Sequence, residues 1–191
     1  MILDASTSLV IMLLIAIVCL VIALYFDLKY QKIPNSLCLV FIFIALVLQL
    51  LFYRLQGGLD LLFGVVLAFI LLFPAFYIKA LGGGDVKLMM AIGALCGPLL
   101  IAWSIAYAII FGGIISIFLG INKSGWAGLK QTLIRYYHCF YLKQYFKPST
   151  GEVAELRVPY APALALGWIW ACSQSDEVML AISTFRYQFF S

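Results

Sequence analysis

The chain has 191 residues, of which 65% are hydrophobic and only 10% are charged, and its formal net charge is +4. An average soluble domain carries roughly 25% charged residues, so this composition excludes an ordinary water-soluble fold and indicates an integral membrane protein. The mean hydropathy of +1.11 leaves little sequence for a separate soluble domain. We therefore expect one membrane domain over residues 1–191.

The apolar runs predict an all-α protein with about six membrane-crossing helices. A helix needs about 20 apolar residues to cross roughly 30 Å of hydrocarbon. The apolar stretch at 86–121 is too long for one crossing, and Gly97-Pro98 interrupts it, so we expect a hairpin there. The predicted crossings cover about 9–26, 36–53, 59–78, the two arms of 86–121, and 160–171 or 160–174. The last run, 178–190, is typical of an interfacial segment.

The distribution of basic residues predicts the orientation in the membrane. Short cytoplasmic loops are enriched in Lys and Arg. With six crossings, 10 of the 12 basic residues fall on one side, and the other side carries only Arg54 and Arg186 beside four acidic residues. We therefore expect both termini outside the cytoplasm, with Asp27 and Asp85 together at the cytoplasmic face.

The polar stretch 122–157 mixes basic and aromatic side chains. We expect a cytoplasmic loop that lies in the headgroup layer of anionic lipid. Nucleic acid uses the same residue types, but it is not an expected partner here.

Small side chains predict close helix packing, because apolar side chains gain little by meeting each other rather than lipid. Such residues recur at a spacing of four, as Gly93 and Gly97 and then as Gly112, Ser116 and Gly120. The five cysteines are scattered singly without a CxxC pair, so we expect packing residues and no metal site.

The candidate chemistry lies in Gly82-Gly83-Gly84-Asp85 and in Asp27. Charged side chains at membrane depth usually mark function. Two carboxyl groups within hydrogen-bond reach hold one proton between them. One aspartate can then activate water while the other protonates the peptide carbonyl oxygen. This chemistry needs no metal, cofactor or covalent nucleophile, and it predicts an aspartyl protease with Asp27 and Asp85 as catalytic residues.

Simpler interpretations of the same residues stay open. Asp85 could cap a helix, and Asp27 could be a helix-end charge in contact with water. The three glycines could form a flexible turn, or could use unusual backbone angles to let an extended substrate approach. Lys87 could be a lysine that snorkels to the membrane surface, or could tune the proton affinity of the pair.

At these residues the chain resembles the type IV prepilin peptidases, membrane aspartyl proteases of the GxGD type. The resemblance rests on three segments, which are Asp27-Leu28-Lys29-Tyr30-Gln31-Lys32-Ile33-Pro34-Asn35, Gly82-Gly83-Gly84-Asp85-Val86-Lys87 and residues 158–167. It implies Asp27 and Asp85 as the catalytic pair, with Gly82, Gly83, Gly84 and Lys87 in binding or support. It also implies a multi-pass protein of the bacterial inner membrane that cuts the short basic leader of prepilins or pseudopilins for type IV pilus assembly or protein secretion.

The chain lacks the N-terminal domain with paired CxxC motifs of the long bacterial members, so N-methylation is not an expectation. In this respect it resembles the short peptidases of tight-adherence pilus systems. A homo-oligomer stays possible. Two alternatives remain. The chain could be a presenilin-like intramembrane protease, or a cation or proton transporter that uses its carboxylates at the membrane edge.

Overall fold

The structure, a computed structural model, describes residues 5–78, 81–142 and 160–190. Within these ranges the chain is all-α, as the sequence predicts. The helices are α1 (Ala5–Tyr30), α2 (Asn35–Tyr77), α3 (Gly83–Leu142), α4 (Ala161–Gln174) and α5 (Asp176–Phe190).

Three stretches are long and apolar enough to cross a membrane, namely α1, α2 and Gly83–Asn122 of α3. In hydrocarbon every backbone N–H and C=O must bond within the segment, and an α-helix achieves this. Large apolar side chains such as Leu51, Leu55 and Phe118 point outward and are exposed. An exposed apolar surface of this kind suits lipid contact. The number of crossings and the positions of the termini stay predictions.

Helix α2 is a hairpin of two antiparallel arms. A straight helix of its 43 residues would be about 65 Å long, roughly twice the hydrocarbon thickness. The helical geometry breaks at Arg54, where φ is 55° and ψ is −135°. Gly57 then packs against the backbone carbonyl of Gln49, from which a straight helix would separate it by about 12 Å. The chain therefore reverses direction between the two predicted crossings.

Helix α3 also reverses direction, at the predicted glycine-proline pair. Gly97 has φ 77° and ψ 176°, outside helical geometry. A Cβ atom on Gly93 would lie 3.3 Å from Cγ1 of Ile101, which again requires the two arms to fold back on each other. The hairpin predicted at Gly97-Pro98 is confirmed.

The loop predicted for 122–157 is wrong as far as Leu142, because α3 continues to that residue after a second break at Gly125, where φ is 65°. The stretch 126–142 contains no proline and includes several good helix formers. A mixture of basic and aromatic residues is compatible with an interfacial helix as well as with a loop, so composition alone misled the prediction. Residues 143–157 lie outside the described ranges.

The two short C-terminal helices match the last predicted segments. Helix α4 has 14 residues and α5 has 15, so each is shorter than the roughly 20 residues of an upright crossing. Val178 and Ala181 of α5 are buried.

The first arm of α3 forms the centre of the bundle, where Leu88, Met89, Ile92 and Leu95 are almost completely buried. Small residues let other helices approach it. A Cβ atom on Gly64 would collide with the backbone carbonyl of Gly93, so the second arm of α2 touches α3 backbone to backbone.

Small residues also pack α4 against the second arm of α3. A Cβ atom on Gly167 would lie 2.6 Å from the carbonyl oxygen of Ser104, and one on Gly112 would lie 3.3 Å from the ring of Tyr160. These contacts agree with the predicted packing role of Gly93 and Gly112.

The Gly64 contact gives a direct test of this packing. A Gly64→Ala substitution forces α2 and α3 apart, and we expect it to destabilise the protein by about 1–3 kcal/mol, as other overpacking substitutions do. Thermal unfolding in detergent measures the effect. Gly113→Ala is the matched control, since a Cβ atom there meets nothing within 4 Å. Equal melting temperatures for the two variants would contradict the close approach.

Candidate active site

Asp27 lies in the last turn of α1 and is buried, with 7% of its surface exposed. Its Oδ2 atom accepts a hydrogen bond of 3.1 Å from the backbone N–H of Ala161, the first residue of α4. The first N–H groups of a helix have no partner inside it, and the helix dipole favours negative charge there. The N-cap residue of α4, Tyr160, makes no side-chain capping bond. Asp27 therefore caps a helix other than its own, and the water-exposed interpretation of this residue is wrong.

Asp85 lies in the first turn of α3 and is 8% exposed. Its Oδ2 accepts a hydrogen bond of 3.2 Å from the backbone N–H of Gly82, just before the helix. An acid at the third helical position that reaches back to the N-cap N–H is half of a capping box, so the capping interpretation accounts for one oxygen. The other oxygen, Oδ1, is buried without a hydrogen-bond partner among the described residues. Capping leaves this atom unexplained.

The fold brings the two aspartates close to each other. They are separated by 58 positions in the sequence, yet they lie near enough for the Asp27 carboxyl group to interact electrostatically with that of Asp85. The connection between α1 and α2, which follows Asp27, packs against Gly84, which precedes Asp85. A Cβ atom on Gly84 would lie 3.1 Å from Cβ of Ile33 in that connection. The structure thus places both carboxyl groups at the same end of the bundle.

The glycines before Asp85 do not have unusual backbone angles, and their binding or supporting role stays a prediction. The positive-φ glycines among the described residues are Gly97 and Gly125, so the expected unusual backbone angles at Gly82, Gly83 and Gly84 are wrong. These three positions are instead crowded. A Cβ atom added to Gly82 would lie 2.9 Å from Oδ2 of Asp85. One added to Gly83 would lie 3.3 Å from the ring of Phe76, and one added to Gly84 would lie 3.1 Å from Cβ of Ile33. The lack of side chains permits close packing around the acid.

Lys87 is exposed, and its Nζ donates a hydrogen bond of 2.9 Å to Oδ1 of Asn35. The sequence placed Asn35 only at the end of the segment that begins with Asp27, and it indicated no specific function for Ala161. The available signal for Ala161 was Pro162, because proline is favoured in the first turn of a helix. No local pattern identifies which distant side chain each of these two residues contacts.

Two spaces among the described residues could admit a ligand. Neither is lined by Asp27 or Asp85, but one is lined by Phe26, which directly precedes Asp27 in α1. A shallow groove of about 450 Å³ runs along the α1–α2 connection and is lined by Phe26, Tyr30, Lys32, Ile33, Pro34 and Asn35. A cavity of about 720 Å³ is lined by Tyr53, Asp60, Gly97, Trp103 and Glu177 among others, but by neither aspartate of the pair. The groove is therefore the candidate space for a substrate.

Two buried, neighbouring carboxyl groups on membrane-length helices form a candidate aspartyl protease site. The comparison with known families agrees, since residues 14–117 match the model of the type IV leader peptidase family. The match covers more than half of the chain and includes Asp27 and Asp85, and the chain belongs to this family. Searches of curated proteins and of solved structures find no match. At the level of the family the chain is an aspartic peptidase, and its apolar helices indicate a membrane protein.

The unpartnered oxygen of Asp85 leads to a prediction on stability. An Asp85→Asn substitution keeps an oxygen for the N–H of Gly82 and cannot ionise, so it removes the cost of forming a second buried carboxylate beside Asp27. We expect the variant to be more stable by about 1 kcal/mol, as for other residues held in a functional but unfavourable state. Thermal unfolding at alkaline pH, where the parent loses the proton that the pair shares, measures this change. Asp60→Asn is the control, and a melting temperature of Asp85→Asn below that of the parent would contradict the prediction.

Proposed function

We propose that this protein is a membrane aspartyl endopeptidase that removes the short basic leader of type IV prepilins or pseudopilins. Cleavage takes place at the cytoplasmic face of the bacterial inner membrane, in a protein of six crossings with both termini outside the cytoplasm. The observation that carries the proposal is the pair of buried, interacting carboxyl groups of Asp27 and Asp85, in a chain of the leader peptidase family.

In the proposed mechanism the pair shares one proton. The Oδ1 atom of Asp85 is the best candidate to carry it, because a buried carboxylate oxygen without a partner is costly to ionise. Asp27, which accepts the N–H of Ala161, then takes a proton from water. The resulting hydroxide attacks the carbonyl carbon of the scissile peptide, and Asp85 gives its proton to the carbonyl oxygen. Collapse of the tetrahedral intermediate breaks the C–N bond as Asp27 returns its proton to the leaving amine. Asp85 takes a proton from one hydroxyl of the intermediate, which leaves a carboxylic acid and restores the proton that the pair shares.

The charges at the two ends of the bundle support the proposed orientation. Lys29, Lys32 and Lys87 belong to the elements that carry the aspartate pair, whereas Asp60, Asp176 and Glu177 line the distant cavity. An excess of lysine at the aspartate end fits a cytoplasmic face.

The groove beside Asp27 supports a peptide substrate. Its walls include Phe26, Tyr30 and Ile33, and apolar walls suit the apolar residues of a substrate that is itself anchored in the membrane. A cation or proton transporter is less well supported, because such proteins hold their acids near the bilayer midplane, whereas Asp27 and Asp85 lie at helix ends. The family match also favours leader peptidases over presenilin-like proteases.

The central prediction concerns the two carboxylates. Asp27→Asn and Asp85→Asn each remove one member of the proton-sharing pair, so we expect cleavage of a prepilin to fall at least about 100-fold in each variant. Co-expression with candidate prepilins reports leader loss as a gel shift. Asp60→Asn, at a distance from the pair, keeps the parental rate. Full processing by the Asp85→Asn protein, inserted in the membrane at parental levels, would overturn the assignment.

A second prediction concerns the crowded glycines. The Cβ atom of Gly84→Ala presses on Ile33 and moves the α1–α2 connection, so we expect a loss of cleavage of about tenfold or more, because small displacements of reacting groups are costly. Gly83→Ala meets only the edge of the Phe76 ring, which can rotate, and has a smaller effect. Initial cleavage rates in vesicles compare the two variants. Parental rates for both would show that this packing does not position the site.

A further inference from the structure

A hydrogen bond between α3 and the start of α2 joins two segments that are distant in the sequence. Lys87 Nζ donates to Asn35 Oδ1 over 2.9 Å, with 52 positions between the two residues. Lys87 belongs to the first turns of α3, and Asn35 is the first residue of α2. The sequence explains neither end of the bond, because Lys87 is compatible with a lysine that only reaches water and Asn35 with an ordinary turn.

The side chain of Asn35 does not cap its own helix, although asparagine at the start of a helix commonly does so. Asparagine is favoured at N-caps, where its side chain bonds to the helix backbone. Here the N-cap is Pro34, and α2 has no side-chain capping bond. The amide oxygen of Asn35 instead accepts from Lys87 of another helix.

The hydrogen bond between Lys87 and Asn35 links the two segments that carry Asp27 and Asp85. Lys87 follows Asp85 by two residues, and Asn35 follows Asp27 by eight. Ile33 of the α1–α2 connection also packs against Gly84, which directly precedes Asp85. The bond therefore ties the segment after one acid to the helix turn that carries the other.

A neighbouring residue in the first turns of α2, Cys38, also indicates that the start of α2 lies near Asp85. Cys38 lies one turn after Asn35, is buried, and is near enough to Lys87 and Asp85 to interact electrostatically with both. The start of α2 therefore lies in the neighbourhood of Asp85 as well as of Lys87.

We propose that Lys87 and Asn35 form a clamp that positions Asp27 and Asp85 for catalysis, and that neither residue takes part in proton transfer. Asn35 lines the candidate groove, but its amide oxygen is used by Lys87 and not by the substrate. This inference rests on the proposed peptidase function. An exposed hydrogen bond makes a small but measurable contribution to folding stability, so the main effect of the clamp is on geometry. When it is released, the α1–α2 connection shifts against Gly84, and the two carboxyl groups lose their alignment.

A double-mutant cycle tests the clamp. Lys87→Met removes the donor and Asn35→Leu removes the acceptor, each with little change in size. Cleavage of a prepilin that the parent processes is measured with purified protein in phosphatidylethanolamine and phosphatidylglycerol vesicles. We expect each single variant to lose roughly three- to tenfold in kcat with KM unchanged, and the double variant to lose no more than either single one.

Conservative variants separate positioning from general damage to the fold. Lys87→Arg and Asn35→Asp keep a donor and an acceptor, so both are expected to retain kcat within about twofold, since an oxygen of Asn35→Asp accepts the same ammonium group. Thermal unfolding of all variants in the same detergent shows whether each one folds. The cycle is repeated on melting temperatures, which require no substrate.

The outcomes distinguish the clamp from the proposed function. Losses in kcat that multiply in the double variant, or a KM that rises in Lys87→Met but not in Asn35→Leu, would overturn the clamp, and the second result would make Lys87 a substrate-binding residue. A parent protein that cleaves no prepilin would overturn the proposed function and the positioning role with it. Coupling of the two residues in thermal unfolding would still show the bond between them.

Discussion

The free energy of placing charge at the edge of an apolar bilayer is the constraint on which this structure depends. Carboxylates are strongly disfavoured away from water unless they are paired or hydrogen-bonded. Both acids are held by backbone N–H groups at helix N-termini, Asp27 by Ala161 of α4 and Asp85 by Gly82 before α3. Each acid thus has one satisfied oxygen in a buried position, and the N-terminal ends of α3 and α4 converge on the pair.

Close packing elsewhere makes that convergence possible. Gly64 lets α2 touch the backbone of α3 at Gly93, and Gly167 lets α4 approach Ser104. In a membrane these contacts replace the hydrophobic driving force of a soluble core. The first arm of α3, which starts with the glycine run and Asp85, is consequently enclosed by its neighbours, and Asp85 is fixed from several directions.

The sequence predicted the elements of this fold better than their contacts. Apolar run lengths and Gly97-Pro98 were sufficient for the helices and one hairpin, and both acids were expected at the same end. The bond from Asp27 to Ala161 spans 134 positions and the bond from Lys87 to Asn35 spans 52, and no periodicity encodes such pairings. The crowding at the glycine run could not be predicted either, because the contacts of Gly83 with Phe76 and of Gly84 with Ile33 are tertiary. The helix that continues to Leu142 was missed because its composition is ambiguous.

The most direct test of the account is the geometry of the two acids around a bound substrate. A cryo-EM structure in lipid, with an uncleaved prepilin segment in the site, would measure the distances from both carboxyl groups to the scissile carbonyl and its attacking water. The account predicts that oxygens of Asp27 and Asp85 both lie within about 3 Å of that water or of the carbonyl oxygen. Carboxyl groups too far apart to reach one peptide bond would contradict it.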